Sequence, residues 1–402
     1  MSSPAAPTPR HVAVTAVGVI SPLGLGSEET VEALRRGRDG VSPVTRFDVT
    51  RTRCKTAGQV DVAKLRSHLA RDSGPHLHPA SLMMLAAAAE VQRGDPKFEP
   101  ELLVIGTTSG GMSFGEAFYR AQVEKLRPHE RAEWLANYLP QKPVLDIQES
   151  WPCAAPSQII ANACASGTNA VGHAFRLVRA GQYRRVLCGG YDALSEMVFV
   201  GFDSLQASTP EKIRPFDRSR TGLVLGEGAA LLALEDMGSA RRRGAPILAE
   251  ITGYGISTDN HHLTQPHPSG IGPRQAMERA LADARTAPGE VDYVNAHGTA
   301  TLFNDATEGT AIADLFGERV PVSSTKSMMG HALGAAGAIE AAFSVLALRH
   351  QFLPPNLHFQ ELDPAWRLNI VADEARAAEL RCVVSNSFGF GGTNATIVLQ
   401  QA

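Results

Sequence analysis

The sequence is short of the features that most quickly place a chain in a class. Its 402 residues include five cysteines (Cys54, Cys153, Cys164, Cys188 and Cys382), scattered, odd in number and without a CxxC pair. They point to neither a disulfide framework nor a zinc site, and a reducing, cytoplasmic setting fits them best. No apolar run approaches the roughly 18 residues a membrane helix needs, and the Pro/Ala-rich start MSSPAAPTPR has no apolar core of a signal peptide. Charge of one sign is missing as well. Lys and Arg total 38 against 41 Asp and Glu, a formal net charge of −3, so no global field draws the protein to nucleic acid. What remains is ordinary globular composition, 44% hydrophobic and 20% charged, in a chain long enough for one large core or two fused ones.

Residues 1–10 read as a disordered tail. HVAVTAVGVIS (11–21) reads as a β-branched strand running into a Pro-Gly turn and an amphipathic helix from about Ser27 to Arg36. LAEITGYGIST (248–258) repeats that pattern, with Thr15–Ile20 lining up against Thr252–Ser257. A second echo joins LLVIGTTSGG (102–111) to VDYVNAHGTAT (291–301), each a buried-looking strand ending in small residues. Strands alternating with helices predict parallel sheets covered on both faces. The expected organisation is two similar α/β halves, 11–245 and 246–402, with the basic stretch SARRRGAP (239–246) as an exposed loop between them.

Three segments carry chemistry. PSQIIANACASGTNA (156–170) reads as a strand, a small-residue turn and a helix through Val178, with Cys164 at the helix start. Free backbone N–H groups and the positive dipole end there predict a lowered thiol pKa. The competing reading is a buried core cysteine. His297 in NAHGTAT and His331 in SSTKSMMGHALGAAG each follow a strand and precede small residues. One such histidine is more often structural, but two beside a nucleophile-like cysteine favour catalysis. His261, His262 and His267 lack ligand spacing and read as loop residues. VVSNSFGFGGTNATIVL (383–399) reads as two strands flanking a glycine loop able to aim N–H groups at an oxyanion. It lacks the Lys-Ser/Thr pair and the following helix of a phosphate loop.

ACASG, NAHGTAT, TKSMMGHALGAAG and NSFGFGGTNA occur in the order seen in β-ketoacyl-acyl-carrier-protein synthases, and the chain resembles that family from Val12 to Leu399. RPFDRSRTGLVLGEGAA (214–230) also looks like that family's segment between the nucleophile and the second half. The resemblance implies a thiolase-like αβαβα sandwich of two duplicated halves, as a homodimer or a heterodimer with a related subunit. It implies Cys164 as the acyl-accepting nucleophile, His297 and His331 as the pair binding the malonyl thioester carbonyl, and Lys326 and Glu340 as a supporting charged pair. It implies an oxyanion hole from the N–H groups of Cys164 and Phe390, with Phe390 also gating the acyl pocket. Thr299, Thr301, Phe388, Gly389 and Gly391 fall at substrate-contacting positions, and Asp305 and Glu308 at structural carboxylates expected in salt bridges. Acyl carrier protein is the implied partner, with malonyl and acyl thioesters as substrates and no metal or cofactor.

The sequence departs from the family in places. Leu302 stands where a proline is common, and Ser109 stands where relatives place a larger residue lining the acyl pocket, which predicts a roomier or more polar cavity. A familiar carrier-docking arginine has no equivalent near Ser208–Lys212, so Arg51, Arg53, Lys55, Lys64 and Arg66 are a candidate docking patch. GYDALSEMVFVGFDSL (190–205) resembles specialised polyene and polyketide systems as much as fatty-acid ones. The competing functions are a chain-length-factor-like partner without a nucleophile, against which Cys164 argues, and a thiolase. A thiolase needs a second cysteine in the glycine loop, and Cys382 lies outside it.

Overall fold

The structure, a computed structural model, describes residues 10–69, 77–124, 132–151 and 153–402. The expected N-terminal tail lies outside these residues, except for Arg10. In the first half, Val12–Ser21 form β1, Leu102–Gly106 β2, Ser157–Ile160 β3, Arg185–Asp192 β4 and Gly228–Asp236 β5. In the second, Ala249–Thr258 form β6, Tyr293–Asn295 β7, Pro321–Ser323 β8, Asn369–Ile370 β9, Cys382–Gly389 β10 and Thr393–Gln400 β11.

The strand order is β1-β5-β4-β2-β3 in one half and β6-β11-β10-β7-β8 in the other, with β9 added outside β8. Strand for strand the order is the same, and the strands matched by sequence echo, β1 with β6 and β2 with β7, hold equivalent places. β1 pairs antiparallel with β6, Val12 opposite Ile251 and Val14 opposite Ala249, which joins the halves into one sheet.

The expectation of parallel sheets holds for the outer strands of each half only. β4-β2-β3 and β10-β7-β8 are parallel, but β5 and β11 run antiparallel to both neighbours. For β11 the reason is local: only residues 390–392 separate it from β10, and so short a connection can make a hairpin but no crossover.

Five helices complete the layers: α1 Pro79–Gly94, α2 Ser166–Arg179, α3 Ile271–Ala284, α4 Leu302–Phe316 and α5 Ala336–His350. α2 follows β3 and α5 follows β8, so they are counterparts, and each touches strands of both halves. α1 covers β1 and β5 from outside, and α3 covers β6 and β11. The result is an αβαβα sandwich with α2 and α5 in the middle. α5 is buried from Ala336 to Leu348, as its apolar sequence on every face requires of a helix between two sheets. Each fully buried Leu, Ile or Phe of this layer contributes about 1.5–3 kcal/mol relative to exposure.

The central helices approach closely at two glycines. A Cβ on Gly337 would lie 2.0 Å from Thr168 Oγ1, and one on Gly167 would lie 2.7 Å from the Ala338 nitrogen. Both helices therefore start at one point, directly beside Cys164 and shortly after His331.

SARRRGAP is not simply an exposed loop. Met237–Arg242 form a short helix, and Arg243 reaches back to the carboxylates of Glu235 and Asp95. Among the described residues no helix is long and apolar enough to cross a membrane.

Candidate active site

Cys164 precedes α2, whose N-cap is Ala165. The turn before it is strained: Ala163 has φ 57°, a left-handed conformation that costs a residue with a Cβ about 1–2 kcal/mol. Ala300, three residues after His297, and Leu333, two after His331, share that conformation at φ 63° and 51°. Strained backbone thus accompanies all three chemistry-bearing side chains, a pattern typical of functional sites. The turn at Ala163 is held by the Ser166 hydroxyl, 2.6 Å from the Ala163 carbonyl, and by the Thr108 hydroxyl at 3.2 Å.

Cys164, His297 and His331 line one cavity of about 200 Å³. Thr299, Thr301, Phe388, Gly389, Phe390 and Gly391 line it too. The two histidine rings meet edge to face, and Phe388 packs 5.8 Å from His297. His297 Nδ1 and both ring nitrogens of His331 make no hydrogen bond within the described residues. Burial, reinforced by Lys326, holds both imidazoles well below the ordinary pKa. Each is therefore neutral near pH 7, with one N–H to donate.

Lys326 and Glu340 are fully buried and paired, Nζ to Oε1 2.5 Å. Neither lines the cavity. Burial raises the Glu340 carboxyl above its ordinary value against the pull of Lys326.

The expectation of an acidic thiol is overturned. Burial pushes Cys164 up to about 11, outweighing Lys326 and the backbone N–H groups of Phe390 and Cys164 that favour the thiolate. The helix start lowers the thiol pKa less than the loss of water raises it. Both N–H groups are directed at the sulfur. Phe390 stacks on Phe202, ring centroids 5.5 Å apart, in the cavity wall.

Among the described residues Asp305 and Glu308 form no salt bridge, contrary to expectation. Both are buried acceptors for backbone N–H groups. Glu308 receives His297 N–H at 2.8 Å and Gly298 N–H at 2.7 Å, and Asn386 and Asn304 complete the set. Asp305 receives Phe216 N–H at 2.7 Å and Ala300 N–H at 3.1 Å. Burial raises the Glu308 carboxyl to about 7. α4 thereby grips the His297 loop from below. Leu302 begins α4, a first helical position where proline and leucine are both accommodated.

Ser109 does not line the cavity. Its hydroxyl is turned to Asp192 at 2.8 Å. The candidate docking patch is largely occupied: Arg53 faces Asp203 and the Ser208 carbonyl, Lys64 pairs with Glu29, Lys55 caps the Val49 and Thr50 carbonyls, and Arg66 donates to Leu77. His261 and His267 are loop residues, their rings 5.0 Å apart, and no group of three His, Cys, Asp or Glu among the described residues could hold a metal. Sequence reasoning missed Asp192 and Glu227, both fully buried. A carboxylate closing the apolar strand VLCGGYD was the available signal.

Comparison with known proteins gives the family. Residues 9–240 match the family model "Beta-ketoacyl synthase, N-terminal domain" and residues 248–360 match "Beta-ketoacyl synthase, C-terminal domain". The chain is 34% identical to 3-oxoacyl-[acyl-carrier-protein] synthase 2 of Staphylococcus aureus over 98% of each chain. The ishigamide ketosynthase/chain length factor structure superimposes with a TM-score of 0.92 at 34% identity, covering 98% of this chain and 100% of that one. A type II polyketide synthase ketosynthase in complex with its acyl-carrier protein gives a TM-score of 0.87 at 26% identity, with the same coverage. With both family models matched in order and nearly the whole length shared, the chain belongs to the β-ketoacyl synthase family.

Proposed function

We propose that the chain is a condensing acyltransferase that joins an acyl group on Cys164 to the carbanion released from a malonyl thioester, in fatty-acid or polyketide synthesis. The observation that carries this reading is the shared cavity, where a thiol faced by two backbone N–H groups meets two neutral histidines with unpaired ring nitrogens.

In the first step the Cys164 sulfur attacks the acyl thioester, and its proton leaves with the carrier thiol. The tetrahedral oxyanion is held by the N–H groups of Cys164 and Phe390, donors of the kind worth several kcal/mol in a water-excluded site. In the second step malonyl thioester loses carbon dioxide, and the electron pair of the broken C–C bond becomes an enolate. His297 and His331 donate to the enolate oxygen. The enolate carbon then attacks the acyl-Cys carbonyl, forming the new C–C bond and expelling the Cys164 thiolate. Lys326, with Glu340 balancing its charge, reinforces the burial that holds both imidazoles neutral. Thr299, Thr301, Phe388, Gly389 and Gly391 shape the path of the thioester arm, and Phe390 gates the acyl pocket.

We further assign acyl carrier protein as the donor of both substrates and a second subunit, identical or related, as the partner, in the cytoplasm. The S. aureus relative's name and the carrier-bound ketosynthase support the carrier assignment. We place the boundary between the halves at 245/246, in the connection between β5 and β6. Cys164 stands against a nucleophile-free partner role. Cys382 opens β10 and packs toward Gln400, at the far end from the glycine loop, which stands against a thiolase.

The test is acyl transfer from acyl carrier protein followed by intact-protein mass, with Cys164→Ala as control. Acyl mass on the wild type alone, followed by β-ketoacyl product after malonyl carrier protein, is the expected result. No acyl uptake from any carrier or coenzyme A donor would overturn the reading.

A further inference from the structure

The segment 190–205 contains a buried carboxylate that the proposed chemistry leaves unused. Asp192, the last residue of β4, is fully buried. Its Oδ1 accepts from the Thr107 hydroxyl at 2.9 Å and from the Ser109 N–H and hydroxyl at 2.8 Å each. Its Oδ2 accepts from the Thr108 N–H at 2.9 Å and the Gly334 N–H at 2.6 Å. Burial alone pushes the Asp192 carboxyl up, and these donors oppose it. Three of the five are backbone N–H groups that can only donate, so both oxygens must accept.

The two groups of donors belong to the two parts of the active site. Thr108 holds the Ala163 carbonyl, one residue before the nucleophile. Gly334 lies in the turn Leu333–Ala335 that follows His331 and leads into α5. One carboxylate from β4 thus ties the support of Cys164, in the first half, to the support of His331, in the second. Its charge also reaches the thiol: of the charged side chains acting on Cys164, Lys326 favours the thiolate and Asp192 opposes it, while His297 and His331 are neutral.

We propose that Asp192 is a positioning residue that sets the distance between the Cys164 turn and the His331 turn, so that acyl carbonyl and enolate meet within bonding reach. This rests on the condensing reading above. It explains the hydroxyls of Thr107 and of Ser109, the latter at an expected pocket wall: both donate to the carboxylate, while the Thr108 hydroxyl holds the Ala163 carbonyl.

A positioning role separates bond formation from decarboxylation. Loss of register leaves carbon dioxide release running while C–C bond formation falters, so malonyl carrier protein is diverted to acetyl carrier protein. The experiment compares wild type, Asp192→Asn, Ser109→Ala and Thr107→Val, with melting temperature as fold control, and measures the ratio of acetyl to β-ketoacyl product. That ratio should rise at least about threefold in Asp192→Asn, which places an N–H₂ against backbone donors. Smaller rises are expected in Ser109→Ala and Thr107→Val, which keep the carboxylate. The pH midpoint of Cys164 alkylation by iodoacetamide, which needs no carrier, should fall in Asp192→Asn through loss of the opposing charge, and stay unchanged in Ser109→Ala.

A folded Asp192→Asn with the wild-type ratio overturns the proposal. If that variant does not fold, wild-type ratios in both Ser109→Ala and Thr107→Val overturn it instead. Absence of acyl uptake by the wild type would sink the condensing reading, and is seen separately from either result.

Discussion

His297 and His331 face one another edge to face, ring centroids 5.3 Å apart and planes at 87°. One ring follows β7 on the loop gripped by Glu308, and the other precedes α5. Each is neutral, so each offers one N–H to a common point without the cost of deprotonating an imidazolium. Histidines acting on the enolate have a different kinetic signature from a nucleophile.

For His297→Ala and His331→Ala we expect acyl uptake on Cys164 to persist while malonyl decarboxylation falls by about 10²–10³, the loss seen when one donor to a developing oxyanion is removed. Intact-protein mass reads the first half-reaction, and carbon dioxide release reads the second. Equal loss of both would remove the division of labour.

The Cys164 thiol, raised to about 11, should be protonated at neutral pH. Its alkylation rate in the resting enzyme should climb close to tenfold per pH unit through about pH 9. A plateau near pH 8 would mean the thiolate is far better stabilised than burial allows.

Lys326 and Glu340 form a fully buried ion pair, and breaking it by removing one partner should cost about 3–5 kcal/mol. Lys326→Met or Glu340→Leu alone should therefore lower stability in denaturant titration. The double substitution should recover much of the stability while decarboxylation stays below wild type, because the charge that reinforces burial in holding the histidines neutral is gone. Full activity in the double variant would refute that role for Lys326.

Glu308 links stability to pH. Its carboxyl is raised to about 7 in the folded protein, so its contribution is present below the ordinary carboxylate range and is lost as pH rises through about 7. On the order of 3 kcal/mol is involved. The melting temperature of the wild type should fall relative to Glu308→Gln between about pH 5 and about pH 8. A parallel course of the two would mean that Glu308 is not raised.

The order of four motifs, the strand–turn–helix around Cys164, the hairpin at the glycine loop and the repeat of β1 in β6 were all legible in the chain, because each depends on residue type and spacing within a short window. The family's Cys/His/His set was legible for the same reason. The direction of the thiol's pKa was not. A helix start is a local feature, but burial sums atoms from both halves, and here burial outweighs the dipole. Nor could the chain alone show that Asp305 and Glu308 serve backbone amides, or that Ser109 turns from the cavity to Asp192. Ser109 and Asp192 lie 83 residues apart and Asp305 and Phe216 lie 89 apart, so only tertiary packing brings them together; Glu308 serves amides 10 and 11 residues away, but which way the loop between them folds back is not set by spacing alone.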